Sequence, residues 1–211
     1  MKWLVFLLVM AGCNTPQSSS QQTENAKLSS AKDSCEDPDV SVDCSFVNMP
    51  PGITSVMQIS KPGEPGEALT ITGRLLHADG ITPFANVLMY TYHTDGNGKY
   101  TKTGGEKGVQ KWHGHLHGWI KTDDSGRYEI RTIRPVSYPN STIPAHIHPA
   151  IKEPTWTSYF ITDFVFADDP FVNEEYIRSL KRWNYPGDNG IVTLKKENGK
   201  WTGTRDIVLL H

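Results

Sequence analysis

Three residues of this chain have the types and spacing to hold a metal: His146, His148 and, eight residues before the first of them, Tyr138. On an extended strand, residues i and i+2 face the same way, about 6.6 Å apart at a rise of ~3.3 Å per residue. Two imidazoles so placed can converge on one ion, with bonds near ~2.1 Å. Tyr138 stands in a Tyr-Pro step, where the chain is stiff and turning, and Pro144 biases Ile143 toward extended backbone. A tyrosine held opposite a two-histidine strand adds an oxygen donor. Imidazole plus oxygen suits iron, copper or zinc, and an anionic phenolate favours a hard trivalent ion. Taken alone, alternating histidines are also common as surface or half-buried strand residues, so the pair needs support from elsewhere in the chain.

A second alternating set, His113-Gly114-His115-Leu116-His117, is open to three readings. It is a solvated or structural face, or it lines a pocket through His115 and His117, or it binds zinc or copper. Five of the six tryptophans, at 112, 119, 156, 183 and 201, read as core, the common fate of large aromatics in a β domain. Arg178, Lys181 and Arg182 read as a solvated face.

The elements that must position these residues are short strands. Alternation of apolar with polar or small residues predicts strands at Leu69–Leu75, Ala85–Tyr92, His117–Lys121, Arg127–Ile133, His146–Lys152 and Ser158–Phe166. Two more are expected at Ile191–Lys196 and Trp201–Leu210, joined through Asn198-Gly199, a strong hairpin signal. One short helix is expected at Val172–Lys181. Strands punctuated by Gly and Pro imply an all-β fold, an antiparallel β-sandwich with long loops and at most short helices.

The 211 residues carry a formal charge of −2, which excludes the basic face that a nucleic-acid partner needs. Met1-Lys2, the apolar run Trp3–Met10 and Ala11-Gly12 describe a secretory signal too short to span a membrane. Cys13 follows directly, and the junction resembles a bacterial lipobox. That resemblance implies cleavage after residue 12 and a lipid on Cys13, with an ordinary signal and an incidental cysteine as the other reading. Residues 14–34 hold no aromatic residue and one large aliphatic, Leu28. They read as a disordered tether of ~25 Å span. The chain would thus be a lipid-anchored protein of a bacterial envelope, periplasmic or outer-membrane, with its folded domain at 35–211. The remaining Cys35 and Cys44 make an even pair, which outside the cytoplasm suggests a disulfide.

Between about Thr70 and Pro170 the chain resembles the intradiol ring-cleavage dioxygenases. The residues that carry the likeness are Gly98-Lys99-Tyr100, Thr122–Tyr128, Arg131–Pro135, Tyr138-Pro139, Pro144–His148, Phe160–Asp163 and Asp169-Pro170, in that order. The resemblance implies a non-haem Fe(3+) ion held by Tyr100, Tyr138, His146 and His148. Its substrates would be a small aromatic diol and O2, and its product a muconate-type diacid. The tyrosinate matching Tyr138 would also act in catalysis, as a base for the diol protons. The likeness has departures. Ile143 stands where family members commonly carry Arg before Pro-Ala-His, and Asp163 where a Gln is often found. Both are candidate pocket residues, and they point to a neutral catechol rather than a carboxylated one. Two other functions fit the same residues: a sandwich kept for binding with catalysis weakened or lost, and a copper-binding surface protein using His113–His117.

Overall fold

The computed structural model describes residues 34–37, 41–183 and 188–210. The signal segment, Cys13 and the tether up to residue 33 lie outside the described residues. Cys35 and Cys44 are joined by a disulfide, their Cα atoms 5.3 Å apart. It packs against Val109 and fastens the first described residues to the domain.

Among the described residues, twelve strands form two sheets. The first runs β1 (Val56–Gln58), β5 (Arg127–Ile133), β2 (Ala68–Leu76), β11 (Lys200–Thr204), β10 (Lys195–Glu197), with β12 (Ile207–Val208) also on β2. The second runs β4 (His117–Lys121), β3 (Leu88–His93), β6 (His146–Lys152), β8 (Phe164–Phe166), β9 (Ile191–Val192), with β7 (Tyr159–Phe160) also on β6. The sandwich expected from the alternation is there, but its sheets are mixed. β1 lies parallel to β5, β11 and β12 lie parallel to β2, and β9 lies parallel to β8. The chain leaves one sheet at Val192 and enters the other at Lys195, so the single strand expected at 191–196 is two. Asn198 (φ 49°) and Gly199 (φ 77°) then close the expected hairpin between β10 and β11, the backbone a tight primed turn requires.

The inward residues of both sheets make the core, Ile71, Leu75 and Ile130 from one and Met89, Ile147 and Phe164 from the other, all fully buried. Alternation on β6 therefore sends Ile147 and Ile151 into the core and His146 and His148 to the opposite face. That outer face is not bare. Tyr90 packs there with Phe46 and Ala150, and a one-turn helix α1 (Gln110–His113) covers its end. The tryptophans divide: Trp119 and Trp201 are partly buried, whereas Trp112 and Trp156 are exposed, about half of each surface reaching solvent. Trp112 instead uses its indole N–H on the Glu36 carbonyl, 2.7 Å away.

The strand expected at Ser158–Phe166 is broken, and the break matters. Ala150 lies opposite Phe160, and Ile147 opposite Phe164. Between these pairs, His148 and Pro149 on β6 face Ile161, Thr162 and Asp163. One extra residue sits on the partner strand, which makes a β-bulge. Pro149 has no N–H to donate on the side where its carbonyl accepts from Ile161.

His93, on β3, is fully buried between the sheets. Its Nδ1 bonds the Thr94 carbonyl at 2.8 Å and its Nε2 bonds Thr132 Oγ1 at 2.7 Å. Burial holds its imidazole down to about 4, against ~6.5 for an unfolded histidine. The unfolded chain therefore binds a proton that the folded chain refuses. This stability is present above pH ~6.5 and is lost as pH falls through the window toward 4. Denaturant titrations across this range should show that loss, and His93→Gln should reduce its slope by about one proton.

Candidate metal centre

Four side chains meet on the outer face of β6. Tyr100 Oη lies 2.6 Å from Tyr138 Oη and 3.1 Å from His148 Nε2. Tyr138 Oη lies 3.2 Å from His146 Nε2 and 3.4 Å from His148 Nε2, and the two Nε2 atoms are 2.9 Å apart. Four atoms so spaced surround a point about 2 Å from each, the bond length of a first-row metal to nitrogen or oxygen.

Local chemistry brings the tyrosines in. Asp95 organises the turn before Tyr100: its carboxylate accepts from the N–H groups of Asn97 and Lys99 and from the Thr101 hydroxyl. Gly98 (φ 71°) lets this turn lie against the next loop, since a Cβ there would strike the Ser137 carbonyl. Thr94 Oγ1 donates to the Val136 carbonyl at 2.6 Å and closes the same contact. Beyond Tyr138, Asn140 takes a positive φ of 60°, and the buried Asp169 accepts the Ala145 N–H at 2.9 Å. The chain is thus set as it enters β6.

The imidazoles are aimed by what lies behind them. His146 Nδ1 is 2.6 Å from the Pro144 carbonyl, and His148 Nδ1 is 3.0 Å from Asp163 Oδ1. A carbonyl and a carboxylate only accept, so both Nδ1 atoms carry the hydrogen. With only these hydrogens on the rings, the two Nε2 lone pairs meet at 2.9 Å, an arrangement that a cation between them relieves. A histidine backed by a carboxylate or carbonyl is the usual support of a metal ligand. Burial pushes the phenols of Tyr100 and Tyr138 up, with their mutual hydrogen bond also raising Tyr100. Burial and then His148 push His146 down. The donor set fits a metal of high charge: the phenols ionise here only beside such an ion.

The centre opens on a cavity of about 490 Å³. Tyr138, His146 and His148 line it, as do Ile143 and Asp163, the two pocket residues expected from the sequence. The other two, His115 and His117, do not. They line a separate cavity with Glu64 and Trp119. His113 ends α1, and Gly114 (φ 71°) turns the chain before β4 begins at His117, so the three histidines share no strand face. His113 Nδ1 bonds Tyr90 Oη at 2.8 Å, and His115 Nε2 lies 3.0 Å from Glu64. Among the described residues His113, His115 and His117 form no metal cluster. Among the described residues, the one group of three His, Asp or Glu side chains close enough together to hold an ion is His146, His148 and Asp163.

Tyr92 is a site residue that the sequence reading missed. It stacks on His148, centroids 4.6 Å apart, and on His113 at 3.5 Å. Its signal was alternation, which puts it on the outer face of β3 beside β6. The helix α2 (Glu174–Trp183) supplies Tyr176 and Leu180 to the cavity wall. It starts two residues later than expected because Asn173 Oδ1 accepts the Tyr176 N–H and caps it.

Residues 45–198 match the family model described as Dioxygenase. The chain belongs to this family, the intradiol dioxygenases. It is 26% identical over 132 residues to a hydroxyquinol 1,2-dioxygenase of Rhizobium sp. (strain MTP-10005), covering 55% of this chain and 43% of that protein. It is 24% identical over 155 residues to catechol 1,2-dioxygenase 2 of Acinetobacter lwoffii, covering 66% and 54%. The chain thus spans about half the length of these curated relatives. Among solved structures, the dioxygenase domain of a dioxygenase–carbohydrate-binding protein fusion from Streptomyces sp. SirexAA-E superposes with a TM-score of 0.56 at 22% identity, over 77% of this chain and 92% of that one. Catechol 1,2-dioxygenase from Acinetobacter sp. ADP1 gives 0.56 at 20%, over 76% and 59%. These two likenesses bear on the fold.

Chelator competition with iron(III) tests the support behind the rings. Asp163→Asn should weaken binding by about 10–100-fold, the usual cost of losing such a partner. Glu64→Gln, beside His115, should leave it unchanged.

Proposed function

We propose that this chain is a ferric intradiol dioxygenase that opens a catechol-type ring with O2 to a muconate-type diacid. The observation that carries this reading is the convergence of two phenol oxygens and two lone-pair imidazole nitrogens within 3.4 Å of their neighbours. Tyr100, Tyr138, His146 and His148 would hold the ion. When bound, ferric iron would supply the charge that keeps the phenols ionised and makes the bound diol reactive toward O2.

The chain's own residues divide the remaining work. Tyr138 faces the cavity, whereas Tyr100 is not part of its wall. Tyr138 Oη is therefore the oxygen that meets an incoming diol and takes one of its protons. Tyr100 stays behind, 2.6 Å away, as the fixed donor. Ile143, Ile161 and Leu180 give the cavity an apolar wall that accepts an aromatic ring and excludes water. Both atoms of O2 enter the diacid, so the reaction needs no outside reductant.

The test is anaerobic loading with iron(III), then addition of catechol and air. The expected result is a red-brown protein, one O2 consumed per catechol and a diacid product. Tyr138→Phe should slow turnover per bound iron by about 10²-fold or more, the scale of a lost acid–base group. A colourless zinc protein that consumes no O2 would overturn the reading.

The place of action is part of the same proposal. The run from Met1 to Cys13 supports a lipid-anchored protein of a bacterial envelope, its domain held by the tether at 14–34. Mass spectrometry of the protein purified from membranes should find a diacylglyceryl group on Cys13 and nothing before it. Cys13→Ser should release the protein from the membrane fraction.

A further inference from the structure

Asp163 brings a negative charge into the cavity, its side chain about one-third exposed (35%). Among the described lining residues there is no lysine or arginine. The one ion-pair partner of Asp163 among the described residues is His148, which uses a single carboxylate oxygen. The nearby guanidinium is committed elsewhere: Arg205 Nε donates to Asp188 at 2.8 Å, and Nη1 donates to the Thr162 carbonyl at 3.0 Å. That second bond holds the bulge from one side. Gly190 presses on it from the other, since a Cβ there would strike the Asp163 carbonyl. The carboxylate is therefore fixed in the wall. Its field reaches across the cavity: behind burial, Asp163 raises the phenol of Tyr176 in the same wall. Phe160 and Tyr176 also offer aromatic faces in the same wall.

We propose that Asp163 selects substrates by the charge on the ring substituent, favouring catechols that bear an ammonium group and rejecting those that bear a carboxylate. The inference rests on the reading of the site as a catechol site. A fixed carboxylate with no lysine or arginine among the described lining residues attracts an ammonium and repels a carboxylate across the few ångströms of the cavity. Aromatic faces add to the first effect and not the second. A cavity of 490 Å³ leaves room for a substituent beside one ring.

The experiment is an anaerobic titration of the iron-loaded protein with three probes, 4-(2-aminoethyl)catechol, catechol and 3,4-dihydroxybenzoate, followed by the visible absorption band. The expected Kd order is aminoethyl lowest and benzoate highest, with about tenfold or more between the extremes. Rising salt should narrow the gap. Asp163→Asn should collapse the order, a comparison made within one variant and so independent of any change in iron affinity. Ile143→Arg, at an exposed point of the wall, leaves the four metal-facing side chains alone. It should shift the ratio toward the benzoate by about tenfold. Equal binding of the three probes, or an order that persists in Asp163→Asn, would overturn the role of Asp163 while leaving a catechol site intact. If none of the three binds, the catechol reading falls and this inference falls with it.

Discussion

Everything in the site depends on two lone pairs held face to face. The Pro144 carbonyl and the Asp163 carboxylate take the Nδ1 hydrogens of His146 and His148, which leaves both Nε2 atoms bare and 2.9 Å apart. A folded chain does not keep such a pair in the absence of compensation. Here the compensation comes from two phenol hydroxyls at 3.1–3.4 Å, or from a cation in the space that all four enclose. The groups behind the rings hold the Nδ1 hydrogens and turn both Nε2 atoms toward the phenols, which makes the four atoms a candidate coordination set. The cost of burying the phenols has the same meaning. Their acidity is suppressed where they stand, so they are poor anions until a metal of high charge is beside them.

The scaffold makes this geometry by dividing labour between the faces of one sheet. The inner face of the second sheet is closed by the core, Met89, Ile147, Ile151 and Phe164 being fully buried. The outer face carries Tyr92, His146 and His148 and is roofed by loops. The loops are held by short polar contacts rather than by apolar burial, through Asp95, Thr94 and Asp169. Rigid strands place the imidazoles and clamped loops bring the phenols to them. A functional site on a supported surface is the common solution. In this chain the support extends to the other sheet, through Arg205 on the carbonyl of Thr162.

Much of this was legible in the sequence. The alternation of apolar residues placed most strands to within a few residues, and the spacing of His146 and His148 announced a shared face. The order of the short segments from Gly98 to Pro170 pointed to the family, and residues 45–198 match its model. What was not legible depended on contacts distant in sequence. The parallel pairings of β11 and β12 with β2 join residues about 130 apart, and no local pattern encodes them. The stretch His113–His117 alternates like a strand, but the positive φ at Gly114 breaks it, and each histidine finds its own partner. Ser158–Phe166 looked like one strand because a bulge leaves no mark on hydrophobic periodicity until the facing strand is known.

That bulge has a consequence for how such a protein changes over generations. Its extra residue stands outside the ladder, so the side chain at Asp163 is not required for pairing on either flank. The residues that keep the two sheets together and the residue that sets the charge behind His148 are separate positions. Exchange of a carboxylate for an amide or a cation there alters the electrical character of the chamber without asking any strand to re-pair. A lineage can in this way keep the pairing of both sheets and change the charge of the chamber through a single codon.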